Sequence, residues 1–308
     1  SMNEKVSVLQ VDNLSIAFSM YNRGLSKRDL EVIHELSIDV KKGEIVAVVG
    51  SSGSGKSLLA HAIMGILPEN AKIKGSIKYY NDELNEKYLR KVRGKDIAFI
   101  PQSVDFLDPL MKVGKQVVGI NGNKEKQKEV FKKYNLDDKV AEMYPFQLSG
   151  GMARRVLIAT AVMNEAKLII ADEPTPGLNL ELAMETLNNF REIADNGCGV
   201  LLITHDVDLA LNVADRIAVF YSGTIVEIAQ VEDFIKGKDA LRHPYSKAFI
   251  DALPQNKFKE LPGFQPYAGN LPKGCLFRDR CSLKTDECCM EIKMRKIRDG
   301  EVRCINAT

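Results

Sequence analysis

Apolar and polar residues alternate along two early stretches of the chain, residues 6–18 and 30–40. Such alternation is typical of strands with one buried face, as in an antiparallel sheet. Residues 44–50 (EIVAVVG) instead form a nearly continuous apolar run that stops at glycine, and a helix-forming run follows at 57–67. A buried strand, a glycine-rich loop and a helix in this order predict an α/β fold with a parallel sheet.

The later pattern predicts how the rest of the chain is organised. Two more buried strands are expected at residues 168–172 (LIIAD) and 200–204 (VLLIT), with a helix from Leu180 to Asn196 between them. Residues 124–165 are rich in helix formers, which predicts a helical insertion within the α/β core. The predicted units are an α/β domain at residues 1–237, its helical subdomain at about 103–165, and a C-terminal extension at 238–308. The extension is expected to be rich in loops and to have little core of its own.

Composition narrows the class of protein. The 308 residues carry a formal net charge of +2, which gives no reason to expect nucleic acid or an acidic membrane surface as a partner. The longest apolar runs, such as Val156–Met163, are shorter than the ~20 residues of a membrane-spanning helix. The first residues, SMNEKVSV, contain no apolar signal-peptide core. We therefore expect a cytosolic protein that reaches any membrane through a partner.

Residues 50–57 (GSSGSGKS) match the phosphate-binding pattern G-x-x-x-x-G-K-[ST] between a predicted strand and a predicted helix. The glycines let backbone N–H groups face inward at a helix N-terminus, where they form a nest for phosphate oxygens. Lys56 would neutralise the β- and γ-phosphates, and the Ser57 hydroxyl would coordinate Mg²⁺. A plain glycine- and serine-rich loop is the alternative. The expected nucleotide-binding residues are Gly50, Ser51, Ser52, Gly53, Ser54, Gly55, Lys56 and Ser57.

Two acidic residues end the segment LIIADE (168–173), at the carboxyl end of the predicted strand, where ligands of α/β proteins bind. Asp172 is placed to hold Mg²⁺, directly or through water. Glu173 follows it and could polarise a water molecule for attack on the γ-phosphate. Taken alone, the segment could also be an ordinary acidic turn after a strand.

A third motif, LSGGM at residues 148–152, precedes a predicted helix. Its adjacent glycines at a helix N-terminus can receive an anion, with Ser149 as a hydroxyl donor. Here the sequence resembles the ATP-binding cassette (ABC) family, whose signature is LSGGQ. The resemblance implies that Ser149, Gly150 and Gly151 cap the γ-phosphate of ATP bound to a partner subunit.

The other elements expected from this resemblance occur in order along the chain. Gln102 in FIPQS is similar to the glutamine that contributes to the Mg²⁺ site and to catalysis. His205 in LLITHD is similar to the switch histidine that contacts the γ-phosphate. Phe18 is similar to the aromatic residue that stacks on adenine, with Tyr21 as the other candidate.

Two positions depart from the family pattern. Met152 ends the signature where glutamine is usual, and this end position tolerates change. Asn179, in PTPGLN, stands where the family usually has aspartate, at a contact with the opposite subunit. The resemblance still implies hydrolysis at this site, because Glu173 is present, and the asparagine fits an asymmetric pair of subunits.

The C-terminal extension resembles one branch of the family, the ATPase subunits of oligopeptide, dipeptide and nickel importers. The resemblance is carried by RHPYSKAFIDALP (242–254), LPGFQP and LPKGCLFRDRC (271–281). It implies a site made by Cys275, Cys281, Cys288 and Cys304, which in some members holds a [4Fe–4S] cluster. Zinc, reduced thiols and a disulfide formed in air remain alternatives. Cys289 could replace Cys288, and Cys198 is expected to be structural.

The resemblance implies an ATPase subunit that powers uptake of peptides or nickel from the cytoplasmic face of the membrane. The implied cofactors are ATP and Mg²⁺. The implied partners are a second ATP-binding subunit, two membrane permeases and, indirectly, an extracellular substrate-binding protein. Two alternatives stay open: a soluble ABC ATPase acting in repair, translation or iron–sulfur assembly, and a nucleotide-dependent scaffold without turnover. The transported substrate cannot be identified from this chain.

Overall fold

The computed structural model describes six stretches of the chain, residues 5–21, 26–51, 53–102, 107–118, 123–253 and 271–308. Its strands are β1 Ser7–Tyr21, β2 Lys27–Lys41, β3 Ile45–Val49, β4 Ala71–Tyr79, β5 Asp82–Glu83, β6 Ile97–Ile100, β7 Leu168–Asp172, β8 Gly199–Thr204, β9 Arg216–Tyr221, β10 Thr224–Gln230, β11 Arg295–Ile297 and β12 Gly300–Val302. Its α-helices are α1 Ser57–Met64, α2 Glu86–Val92, α3 Val113–Val118, α4 Lys124–Lys133, α5 Gly150–Met163, α6 Leu180–Asp195, α7 Val207–Val213, α8 Val231–Lys236 and α9 Pro244–Asp251.

The larger sheet has eight strands in the order β11-β12-β10-β9-β3-β8-β7-β6. From β9 to β6 neighbouring strands are parallel, and from β9 to β11 they are antiparallel. The central strands β3, β7 and β8 are buried along their whole length, as expected of strands covered on both faces. The prediction of a parallel α/β core is confirmed.

The side chains of β3 alternate between two hydrophobic cores on the two faces of this sheet. Ala47 and Val49 belong to the helix-side core, which also contains buried residues of α3 to α7. Val46 and Val48 belong to the opposite core, which contains β1, β2 and α1. A strand of continuous apolar residues is therefore required here, because successive side chains enter the two cores in turn.

The smaller sheet is antiparallel, in the order β2-β1-β4-β5. Its alternating sequence matches its burial: Leu9, Val11 and Ile16 are buried along β1, while Asp12 is exposed. The predicted antiparallel sheet is thus confirmed. Helices α3, α4 and α5 lie between β6 and β7, and the described part of that insertion contains no strand. None of the helices in the described stretches is long and apolar enough to cross a bilayer.

The C-terminal residues join the main domain more closely than the sequence indicates. Strand β12 pairs with β10, with Glu227 opposite Val302. Leu276 and Phe277 are buried in the helix-side core. The motif LPGFQP (261–266) and Pro254, the last residue of RHPYSKAFIDALP, lie outside the described stretches. The extension therefore shares the sheet and the core of the preceding domain.

A buried ion pair anchors the start of the extension to the sheet. Glu227 is 0% exposed and Arg242 is 1% exposed, with 3.2 Å between Arg242 Nη1 and Glu227 Oε2. The same carboxylate accepts hydrogen bonds from the backbone N–H groups of Arg242 and His243, at 3.0 and 2.7 Å. Asp233 accepts a further hydrogen bond from the guanidinium at 2.9 Å. This network fixes the chain just before α9.

Replacing Glu227 by alanine removes one partner of a buried pair and leaves Arg242 buried with less compensation. We expect Glu227→Ala to lower the free energy of unfolding by about 3–5 kcal/mol, measured by urea titration. Glu232→Ala, at an exposed position of α8, is the control and should change it by less than about 0.5 kcal/mol. Equal stability of the two variants would contradict the anchoring role.

Candidate nucleotide-binding site

The predicted phosphate loop lies between β3 and α1, where the sequence motif requires it. A Cβ atom on Gly50 would come within 2.7 Å of the carbonyl oxygen of Phe220, so only glycine fits against β9 at this point. Gly53 and Gly55 have φ angles of +73° and +95°, which side chains rarely tolerate. Ser52 lies outside the described residues.

Lys56 is buried within this loop, with 4% of its surface exposed. Its ammonium donates hydrogen bonds to the carbonyl oxygens of Gly50 and Ser51, at 3.0 and 2.7 Å, and Nζ lies 4.0 Å from Glu173 Oε1. Burial lowers the pKa of Lys56, while the negative charges of Glu173 and Asp172 oppose that shift. The lysine is thus held where a phosphate would meet the loop.

Ser57 and Asp172 form an oxygen-rich pair beside the lysine. The Ser57 hydroxyl donates a hydrogen bond to Asp172 Oδ1 at 3.0 Å. Burial raises the pKa of Asp172, and the hydrogen bond from Ser57 acts in the opposite direction. A hydroxyl and a carboxylate are the oxygen ligands that Mg²⁺ prefers. The two residues therefore fit the predicted Mg²⁺ site.

Glu173 and His205 meet across the ends of β7 and β8. Glu173 Oε2 lies 3.0 Å from His205 Nδ1, and the Glu173 side chain is buried while that of His205 is 45% exposed. Glu173 has a φ angle of +47°, a left-handed conformation that costs a non-glycine residue roughly 1–3 kcal/mol. Its backbone N–H is held by the carbonyl oxygen of Ile203 at 2.8 Å. The strained turn directs the carboxylate towards Lys56.

The LSGGM segment forms the N-terminus of α5. Ser149 is the N-cap, and its Oγ accepts a hydrogen bond from the backbone N–H of Met152 at 3.2 Å. Ser149 and Gly150 are exposed, and a Cβ on Gly151 would lie 3.8 Å from the side chain of Leu178. The helix N-terminus is thus accessible to an anion from outside the chain.

Asn179 caps α6, with its side-chain oxygen accepting a hydrogen bond from the backbone N–H of Leu182 at 2.8 Å. Asparagine and aspartate are about equally good N-caps. The departure from the family pattern therefore leaves the local helix start unchanged and alters only the charge at this position.

Three other predicted residues lie in β1 and just after β6. Phe18 is half-buried in β1 and packs against the core shared with α1, opposite Leu30 of β2. Tyr21 is 71% exposed, with the ammonium of Lys27 5.7 Å from its ring centroid. Gln102 is exposed just after β6, immediately before residues outside the described stretches. Phe18, with Tyr21 as the other candidate, stays the prediction for the residue that stacks on adenine.

The structure thus brings together five residues that the sequence predicts as functional, Lys56, Ser57, Asp172, Glu173 and His205. Sequence reasoning missed one neighbour of the strand beside the loop. The ring centroid of Tyr245 in α9 lies 4.4 Å from that of Tyr221, the residue after Phe220, whose carbonyl oxygen lies against Gly50. Nothing in the sequence position of this tyrosine, within the HPY motif, indicates that it packs on β9.

Four of the five cysteines of the extension, the predicted ligands, lie near one another, and the backbone N–H of Cys275 donates a hydrogen bond to the carbonyl oxygen of Cys288 at 2.8 Å. Burial raises the pKa of Cys275 to about 11, and the charges of Cys281, Cys288 and Cys304 add to that shift. Cys281 Sγ and Cys288 Sγ each accept a backbone N–H, at 3.3 and 3.4 Å. Within the described stretches, no three His, Cys, Asp or Glu side chains converge as a ready metal site. Thiols that accept N–H hydrogen bonds are nevertheless a suitable donor set for thiolate-bound metals.

The two remaining cysteines have different surroundings. Cys198 is buried, and burial raises its pKa to about 12, as expected for an unreactive structural thiol. Cys289 is exposed next to Cys288.

Two family models match the chain. The model for ABC transporter matches residues 33–176, and the model for the oligopeptide/dipeptide transporter, C-terminal region, matches residues 226–288. The first match contains the phosphate loop and the acidic pair of β7. The second contains α9 and three of the four clustered cysteines.

Curated relatives match nearly the whole chain. The dipeptide transport ATP-binding protein DppD of Haemophilus influenzae is 33% identical, with 97% of this chain and 95% of that protein aligned. DppD of Escherichia coli is also 33% identical, over 92% of this chain and 91% of its own length. The oligopeptide transport ATP-binding protein OppD of Bacillus subtilis is 34% identical, over 89% and 81%.

Solved structures agree with the fold. The ATP-binding cassette MJ0796, in a dimeric post-hydrolysis state bound to ADP and Pi, has a TM-score of 0.62 at 25% identity and covers 72% of this chain and 98% of its own. The cbiO1 protein of Clostridium perfringens, part of the ABC transporter complex cbiONQ, has a TM-score of 0.60 at 22% identity over 82% and 97%. The fold is that of an ABC ATPase cassette, and the chain belongs to the family of ATP-binding subunits of oligopeptide and dipeptide ABC transporters.

Proposed function

We propose that this chain binds and hydrolyses ATP to power the import of peptides across the cytoplasmic membrane. The observation that carries the proposal is the buried contact of Lys56 and Glu173 beside the Ser57–Asp172 pair. Relatives aligned over most of the chain are named as dipeptide and oligopeptide transport proteins, which supports peptides as the substrate class. They lend the nickel alternative no support.

The side chains of the site divide the work of hydrolysis. Lys56 and the loop N–H groups would bind the β- and γ-phosphates. Ser57, Asp172 and Gln102 would hold Mg²⁺, which supplies charge neutralisation for the phosphate oxygens.

Glu173 would orient the attacking water by accepting its hydrogen bond, with His205 beside it to contact the γ-phosphate. Because phosphoryl transfer requires mainly positioning and electrostatic stabilisation, a preformed, largely buried set of groups is what the reaction needs.

A second ATP-binding subunit would complete each site. The exposed N-terminus of α5, with Ser149, Gly150 and Gly151, would cap the γ-phosphate of ATP held by that partner. The pair would act on two membrane permeases from the cytoplasmic face, as a peripheral assembly supplied by an extracellular substrate-binding protein. The uncharged Asn179 would make the contact with the partner differ from one made by aspartate, which suits a pair of unlike subunits.

Replacing Glu173 by glutamine keeps the shape of the side chain and removes its ability to act as a base. We expect Glu173→Gln to lower the kcat for ATP hydrolysis in the assembled transporter by about 10²-fold or more, with ATP still bound. Glu86→Gln, at an exposed position, is the matched control and should keep the wild-type rate.

Wild-type turnover by Glu173→Gln would show that another group orients the water. Absence of ATP hydrolysis by the wild-type assembly would instead refute the proposed activity and favour a scaffold without turnover.

We also infer that the extension, residues 238–308, holds a metal group through Cys275, Cys281, Cys288 and Cys304. The proposal rests on the proximity of the four thiols, the N–H hydrogen bonds to two of their sulfurs and the resemblance noted in the sequence. A [4Fe–4S] cluster is the favoured occupant and zinc is the alternative, because both take thiolate ligands. A bound group would tie together a segment with few strands.

Protein purified without oxygen should show broad visible absorption and about four irons per chain if the cluster is present. Cys281→Ser should reduce the iron content severalfold, whereas Cys289→Ser, at the exposed neighbouring thiol, should leave it unchanged. A colourless protein with about one zinc per chain would identify a Cys₄ zinc site instead. Four free thiols and no metal would refute the metal site.

A further inference from the structure

A cavity of about 500 Å³ lies where the antiparallel sheet, β10 and the C-terminal extension meet. Its walls come from β2, from the first residues of β10 and from residues 271–277 of the extension, and they include the apolar side chains of Val226, Leu276 and Phe277. The volume lies within the ~300–1,000 Å³ that is usual for small-molecule sites. Its described lining contains none of the residues predicted to bind the nucleotide.

Hydrogen bonds between the three segments hold these walls together. The backbone N–H of His34 in β2 donates to the carbonyl oxygen of Gly223, just before β10, at 2.8 Å. In the extension, Arg303 Nη2 donates to the carbonyl oxygen of Glu35 at 2.7 Å, and the backbone N–H of Arg303 donates to that of Val226 at 2.8 Å. A ligand would therefore enter a preformed cavity and would not have to order its walls.

Two buried polar side chains line the cavity and have no hydrogen-bond partner in the part of the chain that the structure describes. They are Thr224, 2% exposed, through Oγ1, and His243, 1% exposed, through Nε2. Buried polar groups of folded proteins are normally paired, so a ligand oxygen that accepts from both would be favoured here.

The tautomer of His243 makes Nε2 a donor. Its Nδ1 accepts a hydrogen bond from the backbone N–H of Tyr245 at 3.0 Å, so the proton of the neutral ring is on Nε2. Burial lowers the pKa of His243 to about 3, against an opposing effect of the Arg303 backbone, and this keeps the ring neutral. The hydroxyl of Thr224 can donate as well.

Acidic side chains outnumber basic ones around the cavity. The charged lining residues are Asp29, Glu31, Glu35, Glu291, Lys273 and Arg303. Carboxylates remain in excess when the pair of Asp29 with Lys72, 3.1 Å apart, is counted as neutral. Glu31 also contacts the imidazole of His34, whereas Glu291 is exposed and reaches solvent. The excess of negative charge favours a ligand that carries a cationic group.

We propose that this cavity binds a short peptide with a free amino terminus: Glu35 and Glu291 receive its ammonium group, and Thr224 and His243 donate hydrogen bonds to one of its oxygens. A simple amine would leave the two buried donors unpaired, and a simple carboxylate would meet an excess of like charge. A dipeptide carries both groups and fits the volume. This site goes beyond the proposed function and does not depend on it.

The test uses the full-length chain by itself, purified without oxygen, so that no permease contributes a peptide site. Calorimetric titration with the dipeptide Ala-Leu should show saturable binding of one peptide per chain, with a Kd below about 1 mM. N-acetyl-Ala-Leu lacks the ammonium group and should bind at least about tenfold more weakly, because a charged partner of the carboxylates is lost.

Two variants test the location of the peptide. Thr224→Val keeps the shape of the side chain and should raise the Kd for Ala-Leu about three- to tenfold, the range for loss of one hydrogen bond. Its control is Thr186→Val, at a buried threonine of α6 whose hydroxyl donates to the carbonyl oxygen of Leu182. Glu291→Gln should raise the Kd at least about threefold, and its control is Glu232→Gln, at an exposed position of α8. Both controls should keep the wild-type Kd.

The absence of saturable Ala-Leu binding would overturn the proposal, and so would equal binding of the acetylated peptide. A wild-type Kd in Thr224→Val and Glu291→Gln would place the peptide elsewhere and overturn the site. Because Glu291 is exposed, its variant decides the question even if Thr224→Val fails to fold. Binding to the isolated chain needs no ATP hydrolysis, so a failure of the proposed function and a failure of this proposal are distinguishable.

Discussion

The parallel alignment of β3, β7 and β8 is the constraint on which the candidate site depends. Residues at the ends of parallel neighbouring strands meet at one edge of the sheet, although they are far apart in the sequence. The edge of β3 supplies Lys56 through the phosphate loop, β7 supplies Glu173, and β8 supplies His205. The two hydrophobic cores hold this alignment, because every side chain of β3 is buried on one face or the other. The positions of Lys56, Glu173 and His205 relative to one another therefore depend on the packing of both faces of the sheet.

The phosphate loop has a second constraint, which comes from the strand on the other side of β3. Gly50 leaves no room for a side chain against the Phe220 carbonyl oxygen, and Tyr221 follows directly in β9. The C-terminal extension attaches on the same side of β3, through the β10–β12 pairing and the packing of Phe277 on Tyr221, with 5.5 Å between their ring centroids. A segment that the sequence predicts as a loop-rich addition therefore packs on the strand against which the phosphate loop lies.

The parts that could be predicted from the sequence are those determined by neighbours in the chain. The strand-loop-helix of residues 44–64 and the acidic end of β7 follow from local periodicity and glycine spacing, and the structure has them where the pattern predicts. The β10–β12 pairing could not be predicted, since three-residue strands carry almost no periodic signal. The packing of Tyr245 against Tyr221 depends on contact between distant segments, which no local sequence pattern indicates.

The charged groups of the site influence whether ATP binds better with Mg²⁺ or without it. Burial lowers the pKa of Lys56 and raises that of Asp172, so it disfavours the charged form of both groups. A phosphate near Lys56 restores the preference for the ammonium, and a divalent cation near Asp172 restores the preference for the carboxylate. Free ATP supplies the phosphate but no divalent cation, and it adds negative charge beside two buried carboxylates, Asp172 and Glu173. The Mg²⁺ complex supplies both at once. The burial of these three charged groups therefore favours ATP with its metal over ATP alone.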